Sequence, residues 1–514
     1  MIYERLITMK RTKMALINAI WGFVEKSISL SGPFIIRTII IYKLGNEYLG
    51  LGSLFSSILQ VLSLAELGFG DAVIYGMYKP VSEGDTVKLS AFLNAFKKIY
   101  SIIGSIIFII GIIILPFLPA LINGGYPDNI NIYILYIIYL LNTVVSYFLF
   151  AYKESLLKAN QRNDINSKIL SACNIIMYIF QIIILMVFQN YYFYVVIFPL
   201  TTIFINILRS KIVDKLYPGV KCKGNLSKDE INSLVKRVIG LTLNKISYVF
   251  RNSFDSIIIS AFIGLASLAR YQNYYYVISA ISLFMSVLAT SITAGLGNSI
   301  VLETKEKNYV TYKEFLFEYS SIACIFTSCL VCVMQDFIEI WTGPDNKLPF
   351  YIVILCALYF YTMKLGDVTA VYRQAAGLWW EDRFRPVFES FLNLSVNIFL
   401  VKYWGIGGVL TSTIISIVFV NIPWASSILF KKYFEMPVIP ILKQMLIYFF
   451  KMVLVSSVTF LICNYIVISN IILRFIIHGI IAVISSTAII YLLSINKYEL
   501  KLAVTRFKIL LNKK

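Results

Sequence analysis

Scattered charged residues interrupt the long apolar stretches of this 514-residue chain, and their spacing is that of helix faces. Lys26, Ser29, Pro33 and Arg37 recur on one stripe at about 100° per residue, with Glu25 beside it. Asn244, Tyr248, Arg251 and Asp255 form an equivalent stripe, with Lys245 adjacent, and Arg251 and Asp255 are spaced i, i+4 so that they can pair. Lys364 and Asp367 stand at i, i+3, and Glu66 and Asp71 flank a glycine-containing stretch, Leu67-Gly68-Phe69-Gly70. A charge at the centre of a bilayer costs about 2.5–3.5 kcal/mol on insertion scales, so such residues face a partner or a watery cavity. Lysine and arginine at that depth suit an anionic ligand, and carboxylates suit a proton or a monovalent cation. Plainer readings stand beside these. Arg251–Asp255 and Lys364–Asp367 also fit self-neutralised structural pairs, Lys245 and Arg37 fit snorkelling near span ends, and Glu66 and Asp71 fit ties at a bent helix. Lys26 with Glu25, midway along the first apolar span, fits a structural role least. Lys451, alone in a late span, reads as an accessory-helix residue.

The elements that carry these residues follow from composition. The chain is 59% hydrophobic and 14% charged, against about 25% charged in soluble domains. Its apolar runs reach the roughly 20 residues needed to cross a hydrocarbon core as helix. Runs such as Ile102–Leu118 and Ile471–Leu493 lack the period-two alternation of a barrel strand. The expected fold class is therefore all-α integral membrane, with about fourteen transmembrane helices near 16–42, 49–78, 91–121, 131–152, 169–188, 191–208, 240–263, 272–299, 314–338, 349–371, 386–401, 406–430, 441–463 and 474–494. Lysine and arginine collect on one side: at Arg5–Lys13, Lys79–Lys98, Lys153–Lys168, Arg209–Arg237, Lys305–Lys313, Arg373–Arg385, Lys431–Lys443 and Lys497–Lys514. The other side holds Lys43, Arg270, Lys347, Lys402 and Arg474. The positive-inside rule then puts both termini in the cytoplasm. The net charge of +19 is a topology signal and a surface for anionic lipid, with no nucleic acid implied. The basic N-terminus runs into the first span without a small-residue cleavage site and reads as an uncleaved helix. The basic tail fits an interfacial helix. The seven cysteines lie mostly in apolar runs and read as core residues, the Cys329-x-x-Cys332 pair included, and no metal site is expected.

Sliding the chain against itself gives a repeat at an offset of 219: Lys26 falls on Lys245, Gly45 on Gly264, Leu49 on Leu268, Gly124 on Gly343, Ser171 on Ser390, Asn174 on Asn393 and Phe180 on Phe399. Six spans separate equivalent elements, so the halves are parallel repeats. The expected organisation is a six-helix lobe over 1–208, a cytoplasmic connecting loop over 209–239, a second six-helix lobe over 240–430, and two accessory helices with the basic tail over 431–514. The polar stripes of the two lobes would line one central cavity.

The chain resembles the polysaccharide flippases, the repeat-unit translocases for O-antigen and capsule within the multidrug/oligosaccharidyl-lipid/polysaccharide exporter superfamily. The residues that carry the resemblance are Ala65-Glu66-Leu67-Gly68-Phe69-Gly70, followed by Tyr75-Gly76-Met77-Tyr78-Lys79 and Glu83-Gly84-Asp85, and then Tyr152-Lys153 with Ala159-Asn160-Gln161-Arg162. It implies a transporter, not an enzyme, that moves an undecaprenyl-pyrophosphate-linked oligosaccharide across a bacterial cytoplasmic membrane by alternating access. Coupling to a proton or sodium gradient, and a polymerase and chain-length protein as partners, are implied as well; no cofactor is. On this reading Lys26, Arg37, Lys245, Arg251 and Lys364 hold the anionic head group. Glu25, Asp255 and Asp367 are the ion-coupling candidates, and Glu66 and Asp71 serve structure or gating. A lipid II flippase or a cation-coupled multidrug exporter of the same superfamily is the alternative. A membrane polymerase fits less well, because the outer loops are a few residues long and carry no histidine. No glycine-rich phosphate loop for an ATP-driven pump is present.

Overall fold

The computed structural model describes the backbone of residues 2–66 and 68–502, and their side chains except at 2–12, 65, 233, 236–237, 239–241, 243–248, 252 and 290–294. The described chain is helical throughout, without strands. In order the helices are α1 (Ile2–Lys43), α2 (Asn46–Leu62), α3 (Phe69–Glu83), α4 (Thr86–Ile114), α5 (Ile132–Phe148), α6 (Glu154–Ala159), α7 (Asn163–Val187), α8 (Tyr191–Leu216), α9 (Lys228–Phe262), α10 (Leu265–Leu302), α11 (Lys305–Thr342), α12 (Phe350–Ala375), α13 (Arg385–Trp404), α14 (Ile406–Ser416), α15 (Ile422–Leu429), α16 (Ile439–Tyr465) and α17 (Ile471–Leu492). Each expected span falls on one of these helices or on a broken pair. Among the described residues, eight helices are by themselves long and apolar enough to cross a membrane. The bent pair α5 and α6, at 51°, adds a ninth candidate. Closely spaced spans are divided by local chemistry. Gly405 turns α13 into α14 with a φ of 55°, and a Cβ on Gly408 would lie 2.4 Å from the Leu400 carbonyl oxygen.

Close packing groups the chain into two compact units, Met1–Leu268 and Ala269–Lys514. In the first, α1 packs along α7, α5 along α8, and α2 along α9. The α9 helix presents Ser253, Ser256 and Ser260, all fully buried, and small polar residues allow helices to approach closely in lipid. Its ends are tied within the same unit. Ser253 donates to Gln60 at 2.8 Å, Ser260 to the Leu121 carbonyl at 2.7 Å, and Asn123 to the Phe262 carbonyl at 2.7 Å. In the second unit, α11 is the hub, packed by α12, α16 and α17. Arg474 of α17 pairs with Asp336 of α11 at 2.7 Å.

The expected connector over 209–239 is mostly helix: α8 runs to Leu216 and α9 starts at Lys228. The turn between them is strapped to the start of α4, where Asn94 donates to the Gly224 carbonyl and the Lys221 N–H to Ser90. Lys88 of α4 pairs with Glu230 at 2.8 Å. The Lys88 hydrogen bond, together with the Ser227 cap, holds the Glu230 carboxyl below its usual range. This tie is present above the ordinary glutamate pKa and lost as pH falls through the lowered value.

The repeat reappears in the turns. Gly45 and Gly264, and likewise Gly124 and Gly343, all take positive φ between 80° and 110°, a region open to glycine and costly to other residues. Leu49 and Leu268 are both buried. The α1–α7 contact leaves no room at Gly32, where a Cβ would lie 2.1 Å from the Tyr178 ring. Replacing Gly32 with Val should cost about 1–3 kcal/mol through overpacking and lower the melting temperature of purified protein. Gly22→Val, which meets nothing within 4 Å, should not.

Candidate functional site

The α2–α3 break is where the sequence concentrates glycine, and it is where the first unit opens a polar pocket. A tight turn at Ser63–Glu66 ends α2, and Gly68, at φ 93°, starts α3 in the left-handed conformation. The break delivers the Glu66 carboxylate into the unit. Tyr100 of α4 donates to one of its oxygens at 2.5 Å, and Tyr147 of α5 donates to the other. No ion-pair partner reaches Glu66 among the described residues.

The cavity beside Glu66 measures about 350 Å³. Its far wall is a charged network on α6, α7 and α8. Arg209, buried, reaches Glu154 at 3.2 Å, Asn166 at 3.0 Å and Asn206 at 3.0 Å. Lys158 also pairs with Glu154, at 2.6 Å. The pocket thus has a wall of two cations sharing one carboxylate and, opposite it, Glu66 held by hydroxyl donors.

The second unit answers the same sequence positions differently. Tyr319, the repeat counterpart of Tyr100, donates to Asp367 at 3.0 Å, and Lys364 pairs with that carboxylate at 2.8 Å. Lys364 is buried, so this pair is internally neutralised. Arg373 and Arg385 stand at the counterparts of Glu154 and Asn166. Both grip Asp382, at 2.9 and 2.7 Å, and Arg385 also pairs with Glu389 at 2.7 Å. Asn421 donates to Glu389 at 2.7 Å from a π-helical turn between α14 and α15.

The other candidate residues are dispersed. Lys26 is largely exposed, at 61% of its side chain, and lies 3.6 Å from Glu25. Glu25 accepts a hydrogen bond from Ser167 of α7 at 3.1 Å. Arg37 is half-buried and within electrostatic reach of the Tyr191 and Tyr194 phenols. Arg251 is half-buried and Asp255 is buried on α9, inside the first unit, and both are engaged by neighbours. Asp71 is exposed in the first turn of α3. The Lys245 side chain lies outside the described residues. Lys451 bridges α16 to Ser494 beyond α17, among Phe317 and Tyr448.

Several participants were hidden by the loop count. Arg209, Arg373 and Arg385 read as topology charges in the sequence but are buried. Carboxylates at helical distance, Asp382 and Glu389 around Arg385, were the available signal, and so was the offset that lays Glu154 on Arg373.

Both units are helical bundles with charged networks buried inside them. No family model and no curated protein matches the sequence. Among solved structures, the chain is similar to the lipid II flippase MurJ in an inward closed conformation, with a TM-score of 0.68 at 16% identity over 93% of this chain and 99% of that one. It is also similar to an inward-facing multidrug resistance MATE family transporter of the MOP superfamily, with a TM-score of 0.59 at 15% identity over 78% of this chain and 95% of that one. A third is a mutant of the Vibrio cholerae MATE transporter VcmN, at 0.53 and 13% identity over 81% and 96%. The chain shares the fold of these solved structures.

Removing Arg385 would leave Asp382, which has no exposed surface, facing only Arg373. Arg385→Leu should therefore cost about 3–5 kcal/mol, read as a large drop in melting temperature in detergent. Arg383→Leu, which removes an outward-facing charge, should cost far less.

Proposed function

We propose that this chain is a flippase that carries undecaprenyl-pyrophosphate-linked oligosaccharide repeat units from the cytoplasmic to the outer leaflet of a bacterial cytoplasmic membrane, for surface polysaccharide such as O-antigen or capsule. The observation that carries this reading is the extent of the likeness. A lipid-linked-sugar flippase aligns over 93% of the chain, whereas the MATE transporters align over 78–87%. The motifs around Glu66 and Arg162 carry the resemblance to the polysaccharide flippases, which is why repeat units are named first. Movement follows alternating access of two lobes; α9, which the sequence reading divides between the connector over 209–239 and the second lobe over 240–430, packs inside the compact unit Met1–Leu268. Lys26, Arg37, Lys245, Arg251 and Lys364 are the head-group candidates. The MurJ likeness also favours a second reading, transport of lipid II, which shares the same pyrophosphate carrier.

Transport uphill needs an ion gradient, and Glu66 is the strongest coupling carboxylate. Its oxygens are held by two hydroxyls and open onto a cavity, whereas Asp367 is committed to Lys364. Glu25 and Asp255 remain the other candidates for a proton or sodium ion.

Deleting the gene and measuring undecaprenyl-linked intermediates by mass spectrometry separates the readings. Accumulated repeat-unit lipid supports the proposal, accumulated lipid II supports the second reading, and no lipid-linked sugar at all overturns both. Glu66→Gln should lower surface polymer at least about tenfold at normal protein level, and Asp71→Asn should leave it near wild type. Full polymer with Glu66→Gln would remove Glu66 from coupling.

A further inference from the structure

The turn that joins α12 to α13 has two faces with opposite chemistry. Its inner face is Asp382, without exposed surface, clamped between the Arg373 and Arg385 guanidinium groups at 2.9 and 2.7 Å. Arg385 is fixed in turn by Glu389, and Glu389 by Asn421. Burying two arginines and two carboxylates is tolerated where opposite charges meet; here both guanidinium groups meet Asp382, although Arg373 Nη1 makes no hydrogen bond, and the turn is tied to the helix ends.

The outer face is aromatic. Trp379, Trp380 and Phe384 are 40%, 52% and 59% exposed. Arg383 lies across the last two, 4.2 Å from the Trp380 ring and 4.6 Å from Phe384, and donates to the Trp380 carbonyl at 2.6 Å. The exposed apolar surface does not stop at the turn. Phe384, Val387, Phe388 and Phe391 are all exposed at i, i+3, i+4 and i+7 of α13, with Phe391 at 70%. A stripe of that period on a membrane helix faces acyl chains, so the turn sits where that stripe meets the end of the span. The counterpart turn in the first unit, Asn160–Ile165, has no aromatic side chain. The feature belongs to the second unit alone and is not a by-product of the repeat.

Tryptophan favours the headgroup level of a bilayer, with its ring in the apolar boundary and its N–H toward water. A guanidinium stacked on an aromatic ring keeps outward donors for a phosphate oxygen. The turn also lies on the side that the lysine and arginine asymmetry assigns to the cytoplasm, where anionic lipids give the leaflet a negative surface potential. We propose that Gly377–Phe384 is a docking element for anionic phospholipid of the cytoplasmic leaflet, with Trp379, Trp380 and Phe384 entering the interface and Arg383 binding a lipid phosphate. The Asp382 clamp sets the depth of this contact and fixes the cytoplasmic ends of α12 and α13 at the headgroup plane.

The full chain is reconstituted in nanodiscs of phosphatidylcholine and phosphatidylglycerol, and its tryptophan emission is compared with that of the Trp379→Phe/Trp380→Phe variant. The difference between the two reports these rings apart from the other tryptophans. Quenching of that difference signal by headgroup spin-labelled phosphatidylcholine should exceed quenching by aqueous iodide at least about twofold. Stronger iodide quenching would put the rings in water, and protection from both would put them against protein; either result overturns the proposal. Arg383→Gln, which leaves the Asp382 clamp intact, should at least halve the phosphatidylglycerol that remains bound through detergent purification. Unchanged retention overturns the phosphate contact.

Discussion

A charge inside hydrocarbon must find its partner within its own helix bundle, and the internal architecture of both units follows from that requirement. Arg373, Asp382, Arg385, Glu389 and Asn421 form a set in which each charge meets an opposite one or an amide. Glu66 contrasts with them: Tyr100 and Tyr147 hold it at the rim of a cavity. The contrast between ion-paired and hydroxyl-bound carboxylates distinguishes these groups more sharply than the number of charges does.

The internal repeat makes the contrast readable, because each unit is a control for the other. Tyr100 and Tyr319 occupy equivalent positions and both donate to a carboxylate. In the first unit that carboxylate comes from the α2–α3 break; in the second it comes from α12, with a lysine already attached. The hydroxyl and the turns recur in both units, while the acid comes from a different helix. The second unit has an arginine-rich clamp and an aromatic turn, and the first has an open pocket. The two units thus differ at a few positions that the repeat holds in common.

Much of the fold was legible in the linear chain. Long apolar runs determined helices, because no other open structure satisfies its backbone in lipid. The 219-residue offset anticipated the paired turns, and Gly45, Gly264, Gly124 and Gly343 took the positive φ values that explain why glycine recurs there. Charged residues in spans were also legible as exceptional. Lys364 with Asp367 was readable as a pair from spacing alone, since i, i+3 neighbours on a helix meet whatever surrounds them.

Tertiary structure decided which charges matter, and the reason is that sequence spacing reports only neighbours on one helix. Glu66 meets Tyr100 and Tyr147 from 34 and 81 residues away, and Arg209 meets Asn166 from 43. Such partners arrive by helix packing, which no local period encodes. The same limit made Arg209, Arg373 and Arg385 look like loop charges, because hydropathy marks where a span ends and not how deeply its end is buried. The sequence by itself determined a multi-helix membrane chain with two repeats. Packing alone decided that one carboxylate is held by hydroxyls while its counterpart is paired with a lysine, since that depends on which side chain each helix brings to the same place.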